Sequence, residues 1–437
     1  MVDVIFFVDN KNIQNVDCRN IVISNPGIGG TEYMMFLISY LLTARDNGIN
    51  VVLVSTAKAI VPDVMKNIVV NDIYQGYEFA KGTKCKYFIY KHVADYLNSN
   101  LFEKLCDETK LIPWCHNFCD YKSLRFYANN SSTARIIAVG REQMDLYRDH
   151  KAFLKSDYIY NCVPVSTSTE HEILNASCRD NIVTYVGSIV PEKGFALLAE
   201  AWPTVLQSIP DAQLYVIGSG KLYNNSAKLG KWGVAEETFE KRFMRYLAPK
   251  GKILSSVHFC GVLGNEKKEI LLKTKVGVPN PSGVTETFGI TAVEFQIMGA
   301  TVVTKKCAGY VDTVFCGILY NDTKKLADAI INQLVNPTID YQTVISSIKH
   351  KFSIDTIIED WELLLKETIM QNTYLHDIRL NNNYNHKKAK ELLFKLKSKY
   401  TILYSFLPSL GYLCDVDSKL IEIKRIVKQI FRCVLKK

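Results

Sequence analysis

Several absences narrow this sequence before any motif does. Its 12 cysteines include no C-x-x-C pair, which removes the common zinc and dithiol spacings and suits a reducing, cytoplasmic setting. Cys115, His116 and Cys119 lie close together, but no second Cys/His cluster completes a metal set, so they read as core or loop residues and no metal is expected. No stretch reaches the roughly 18 uncharged apolar residues of a membrane-spanning helix. The opening segment Val2–Val8 (VDVIFFV) lacks a basic lead and a cleavage signal, and reads as a first β-strand rather than a secretion signal. The pattern G-x-x-x-x-G-K-[ST] is missing, which excludes a P-loop nucleotide hydrolase.

What is present describes a folded chain of two domains: 437 residues, 48% apolar and 22% charged. The net charge of +9 is unevenly placed. Residues 376–437 hold 14 Lys/Arg and 5 Asp/Glu, against 53 and 44 in the whole chain, so the rest is neutral. A basic tail on a neutral body points to an anionic surface.

Apolar strand-like runs at Val2–Val8, Val51–Val54, Arg135–Val139, Ile182–Val186, Gln213–Ile217, Val257–Cys260 and Val276–Val278 alternate with helix-like stretches. The latter include Glu32–Leu42, Phe195–Gln207, Lys267–Leu272 and Thr291–Met298. Such alternation predicts parallel sheets covered on both faces. The pattern restarts near residue 180, after a Ser/Thr-rich stretch, which predicts an α/β chain of two Rossmann-like domains over 1–170 and 171–365. The segment Phe352–Ile369 predicts a closing helix, and residues 366–437 a return to the N-terminal domain followed by the tail.

The loop SNPGIGGTEY (Ser24–Tyr33) tests a dinucleotide reading. Gly27 and Gly29 fit G-x-G-x-x-G, but the third glycine is Glu32, and the next strand ends Val54-Ser55-Thr56 with no acid for a ribose. A carboxylate in the first helical turn also repels a pyrophosphate lying over it. The NAD reading fails, and what remains is a glycine loop that lets backbone amides approach a ligand.

The second half is more specific. VGVPNPSGVTETFGITAVEFQIMGATVVT (Val276–Thr304) reads as strand, loop, helix and strand. Glu286 stands before the helix and Glu294 inside it, with Thr287-Phe288-Gly289 at its start. Two carboxylates flanking a helix N-terminus suit a sugar nucleotide, with diphosphate on the helix end and hydroxyls on the carboxylates.

This segment resembles the E-x7-E motif of retaining glycosyltransferases of the group 1 family, which have the two-domain GT-B fold. Other pieces are similar in order: Gly29-Gly30-Thr31-Glu32, His116 in WCHN, Asn161 in IYNCV, Tyr185-Val186-Gly187 followed by Glu192-Lys193-Gly194, the Leu214–Gly220 strand and turn, and Val257–Gly261. The resemblance implies that Glu286 holds sugar hydroxyls, Glu294 the ribose, Lys193 the diphosphate, and that His116 lies near the sugar. Gly29, Gly30, Gly187, Ser188, Gly218, Thr287, Phe288 and Gly289 would complete the donor site. The family often has Arg where this chain has Ser188; another basic side chain such as Lys221 would then substitute.

The implied activity is retaining, metal-independent transfer from a nucleotide sugar, UDP-sugar favoured, to a glycan or lipid-linked hydroxyl, as in surface-polysaccharide synthesis. No cofactor is expected. Two alternatives stay open: a sugar-nucleotide-binding protein with little transferase activity, and a GT-B sugar-nucleotide epimerase. The single D-x-D, Asp415-Val416-Asp417, precedes a helix-like stretch in the tail and reads as a helix flank rather than a metal site.

From Ser418 on, Leu420, Ile423, Val427, Ile430 and Val434 form a helical stripe flanked by Lys and Arg. Such a helix suits an anionic membrane surface, which would place the protein peripherally on a cytoplasmic membrane face. The competing expectation is that the tail helices, including Lys387–Tyr400, pack apolar stripes on the N-terminal domain. The enzyme body carries no nucleic-acid motif, so no nucleic acid is expected.

Overall fold

A computed structural model describes residues 2–98, 109–164, 178–221, 228–337, 339–366, 374–380 and 382–413. The amphipathic stripe from Leu420 to Val434 and the D-x-D at Asp415 lie outside these described residues.

The first sheet contains β1 (Val4–Val8), β2 (Val51–Ser55), β3 (Asn67–Val69), β4 (Tyr87–Lys91), β5 (Lys110–Cys115), β6 (Ile136–Ala138) and β7 (Ser156–Tyr158). The second contains β8 (Ile182–Val186), β9 (Gln213–Ile217), β10 (Val257–Gly261), β11 (Val276–Gly277), β12 (Thr301–Lys305) and β13 (Gly317–Tyr320). Their orders are β3-β2-β1-β4-β5-β6-β7 and β10-β9-β8-β11-β12-β13, and every strand pair is parallel. Helices cover both faces, so central strands such as VIFFV are buried throughout and read as unbroken apolar runs. Each order reverses beside its first strand, between β1 and β4 and between β8 and β11. Ligands of such sheets bind at the carboxyl ends of the strands at this switch point.

The expected closing helix is present as Ile354–Lys366, except that Phe352 belongs to a separate helix before it. Tyr341–Phe352 ends at Ser353, whose backbone is extended, and Ile354–Lys366 follows. The Ser353 hydroxyl accepts from the Thr356 amide at 3.3 Å, a cap that starts the second helix. That helix already lies on the first domain: Trp361 meets Trp114 edge-on at 4.8 Å and Phe6 at 6.0 Å between ring centroids. The return to the N-terminal domain therefore begins before residue 366.

Helix Lys387–Lys399 also packs on the first domain, but not through the expected apolar stripe. It buries Lys387, Lys390 and Lys397 and leaves Leu392 and Leu396 exposed. The physical reason is an acidic face beneath it. Lys387 pairs with Glu142 at 2.6 Å and Asp145 at 2.8 Å, and the Lys397 ammonium donates to the Asp149 carbonyl at 2.9 Å.

Candidate active site

The two switch points face one another across a cavity of about 470 Å³. Every residue singled out for donor binding or catalysis lines it: Gly29, Gly30, His116, Gly187, Ser188, Lys193, Gly218, Glu286, Thr287, Phe288, Gly289 and Glu294.

The N-terminal wall is the loop between β1 and helix Gly30–Ala44. Asn25 shapes it: its side-chain oxygen accepts from the Gly27 and Ile28 amides, both at 2.9 Å, and its amide donates to the Ile28 carbonyl at 3.0 Å. Gly27 has φ +92°, and a Cβ there would stand 3.1 Å from Val262 of the second domain. Backbone of one domain thus approaches the other closely, as glycine permits. Glu32 is not the bare charge that the sequence argument against a pyrophosphate assumed. Its carboxylate accepts from Lys91, at the end of β4, at 3.1 Å. The missing third glycine and ribose acid remain the grounds against NAD.

The C-terminal wall rests on tight backbone contacts. Gly218, at φ +143°, lies so near Gly187 that a Cβ would overlap the Gly187 carbonyl oxygen. The Tyr185 hydroxyl donates to the Ser188 carbonyl at 2.9 Å, drawing the loop after β8 back over its own strand. The Ser188 hydroxyl is buried and donates to the Ser219 carbonyl at 3.2 Å, so its proton is engaged within the loop. Lys193 pairs with Glu286 at 3.1 Å. The same Glu286 oxygen accepts from the Asn280 side-chain amide, also at 3.1 Å. Gly289 caps helix Ile290–Ile297 with φ +80°, aiming the first turn at the cavity. The Thr287 hydroxyl donates across the cleft to the His116 carbonyl at 2.6 Å.

Sequence reasoning missed two lysines. Lys267, first residue of helix Lys267–Lys273, pairs with Glu294 at 2.7 Å, and Lys91 holds Glu32. Lys221, offered as the stand-in for the absent arginine, instead lines a neighbouring cavity of about 380 Å³ with Lys11. Neither lysine sits in a motif; each reaches the cleft from the end of an element distant in sequence.

Three buried polar atoms of this cavity have no hydrogen-bond partner among the described residues: His116 Nε2, Asn161 Oδ1 and Glu294 Oε2. Buried polar atoms are ordinarily paired, so these three are available to a ligand. Burial, reinforced by the Lys91 charge, lowers the His116 pKa to about 3. Its imidazole is neutral at physiological pH and offers one donor and one acceptor.

Two facing doubly wound domains with a polar cleft between their switch points define the GT-B class. Structures of that class have the same fold. A Rickettsia africae glycosyltransferase matches with TM-score 0.60 and 14% identity over 85% of this chain and 99% of its own. The Anabaena protein HepE in complex with UDP matches with TM-score 0.57 and 16% identity over 83% and 99%. A UDP-forming alpha,alpha-trehalose-phosphate synthase of Burkholderia xenovorans matches with 0.55 and 11% over 85% and 100%. No curated protein sequence matches the chain. Residues 180–336, the second domain, match the family model of glycosyl transferases group 1. The second domain is thus similar to group 1 glycosyl transferases, and the chain has the GT-B fold.

Proposed function

We propose that the chain transfers a sugar from a nucleotide-sugar donor, a UDP-sugar in preference, to a hydroxyl of a glycan or lipid-linked acceptor, with retention and without a metal. The observation that carries this reading is the cavity itself, where three unpaired buried atoms stand among the Lys193–Glu286 and Lys267–Glu294 pairs.

In this reading the diphosphate lies between Lys193, the Gly29-Gly30 amides and the helix start at Thr287–Gly289. A nucleoside diphosphate is a good leaving group, so the barrier falls mainly by stabilising charge on the departing β-phosphate, each such donor being worth roughly 3–4 kcal/mol. Glu294 Oε2 accepts from the ribose while Lys267 holds its other oxygen. Glu286 and neutral His116 orient the sugar hydroxyls. With the acceptor on the leaving-group face, a phosphate oxygen takes its proton and the anomeric configuration is kept. The basic region 376–437 would bring the enzyme to an anionic membrane carrying its acceptor.

A nucleotide-sugar panel screened by thermal shift, then by nucleoside diphosphate release with acceptor, tests the reading. Glu286→Ala is expected to abolish turnover while leaving the fold intact. Anomeric coupling in the product's NMR spectrum reads retention, and undiminished rates after chelation read metal independence. A second reading, a sugar-nucleotide binder without turnover, is favoured by Ser188, whose hydroxyl is committed to Ser219; donor binding without product in any acceptor pool would select it.

A further inference from the structure

The C-terminal region carries a helix whose polarity is inverted. Over Lys387–Lys399, the face toward the first domain holds Lys387, Lys390 and Lys397; Glu142 and Asp145 answer Lys387, and Asp149 answers Lys397. Phe394 is the apolar anchor on that side, its ring 5.2 Å from that of Phe153. Arg148 reinforces the contact, donating to Glu391 at 2.7 Å. Water-facing positions hold leucines: Leu392 is 69% exposed and Leu396 45%.

The apolar surface continues beyond the helix. Ile402 is 65% and Phe406 75% exposed, and Tyr400, Leu407, Tyr412 and Leu413 are exposed as well. These eight positions are nearly half of the large apolar side chains exposed among the described residues, gathered within 22 positions of sequence. Apolar patches of this kind mark interaction sites. The buried ion pairs fix which side of the helix faces outward, because turning it would strand Lys387 and Lys397 and take from Glu142 and Asp149 their lysine partners.

We propose that this surface, from Leu392 to Leu413, docks into an anionic lipid interface. Two features select a lipid surface over a second protein. Lys388, Lys395 and Lys399 are exposed around the apolar patch, a basic rim that complements acidic headgroups. Tyr400 supplies an amphipathic ring of the kind that favours the headgroup boundary, and Phe406 an apolar one suited to the acyl side of it. No helix of the described residues is long and apolar enough to cross a membrane. This surface rests on the membrane association assigned above to residues 376–437, and adds to the basic tail a defined apolar footprint. It does not depend on sugar transfer.

The test is co-sedimentation of the full-length chain with phosphatidylcholine vesicles, with and without phosphatidylglycerol. One variant is Leu392→Ser/Leu396→Ser/Phe406→Ser, at positions exposed enough to spare the fold. A second, Lys424→Gln/Arg425→Gln/Lys428→Gln, weakens only the tail charge. The wild type should bind the anionic vesicles and release them as salt rises. The triple serine variant should lose at least about tenfold in partitioning, because each side chain withdraws its apolar area from the lipid. Its melting temperature should be unchanged. Binding by the serine variant equal to wild type overturns the surface. If the charge variant then fails to bind, the tail alone is the anchor and the broader membrane reading survives. A wild type that stays in the supernatant overturns both. A solution dimer that the serine substitutions dissolve, without vesicle binding, gives the surface to a second copy and overturns the proposal.

Discussion

Replacing Lys193 by Gln probes the cleft at the point where a diphosphate would lie. In the structure its ammonium stands 3.1 Å from Glu286 Oε2, and both side chains are largely shielded, at 22% and 14% exposure. The gross attraction at that distance is roughly 5 kcal/mol with an effective dielectric constant of about 20. Desolvation offsets most of it, leaving a net contribution near 1 kcal/mol. Glu286 keeps the Asn280 amide at 3.1 Å when the lysine is removed, so stability should fall by no more than about 1 kcal/mol. An ammonium has three donors and can hold a phosphate oxygen while keeping Glu286. Loss of that charge-assisted bond costs about 1.5–3 kcal/mol, an increase in Kd of roughly 10- to 150-fold. Calorimetric titration with UDP and with uridine separates the effects, since only UDP carries the diphosphate. Lys193→Gln is expected to weaken UDP over this range and leave uridine within about twofold. Equal weakening of both ligands, or UDP binding within about threefold of wild type, would refute the placement of the diphosphate at Lys193.

Other predictions follow from single contacts. Gly218→Ala meets the Gly187 carbonyl at a φ of +143° and should destabilise the second domain by roughly 2–4 kcal/mol, read by denaturant titration; a loss below about 1 kcal/mol would show that the two loops can part freely. Lys267→Gln frees Glu294, and should raise Kd for UDP and uridine by similar factors, about tenfold, because the ribose is common to both; an effect confined to UDP would move Lys267 to the phosphates. Asp312, between the domains, accepts from the Glu142 amide at 3.0 Å, and burial raises its pKa from 3.8 to about 7. The folded state therefore binds an extra proton between those values, and the contribution to stability, full below about pH 4, is lost as pH rises through about 7. Asp312→Asn removes that loss: it should stabilise the protein near pH 8, by at most roughly 4 kcal/mol, and change little near pH 4. Identical effects at both pH values in denaturation would refute a titrating Asp312.

The fold was legible because parallel strands buried on both faces must be apolar throughout. Ile182–Val186 and Gln213–Ile217 have the bounds expected from pattern alone. Strands at Tyr87–Lys91, Lys110–Cys115 and Ser156–Tyr158 escaped notice, since Lys91, Lys110, Pro113 and Asp157 interrupt their apolar pattern. Site residues belonging to one local segment, Glu286 through Glu294, were legible as a spacing. Lys91 and Lys267 were not, because a lysine at the end of an element resembles a solvated one until its carboxylate partner is known. Of the two expectations for the C-terminal helix, an apolar stripe on the N-terminal domain fails for the opposite reason. Its leucine spacing predicts an apolar inner face, and only the acidic side chains of Arg141–Asp149 turn it over.

By itself the sequence determined what local physics controls. The glycines fixed where backbone could turn or approach closely, the apolar periods fixed strands and helices, and the restart near residue 180 fixed two domains. Tertiary structure alone decided which charges meet. Lys193 finds Glu286 across 93 positions of sequence and Lys267 finds Glu294 across 27, while Lys387 finds Glu142 across 245. Electrostatic partners are set by distance in space, and no pattern along the chain encodes that distance.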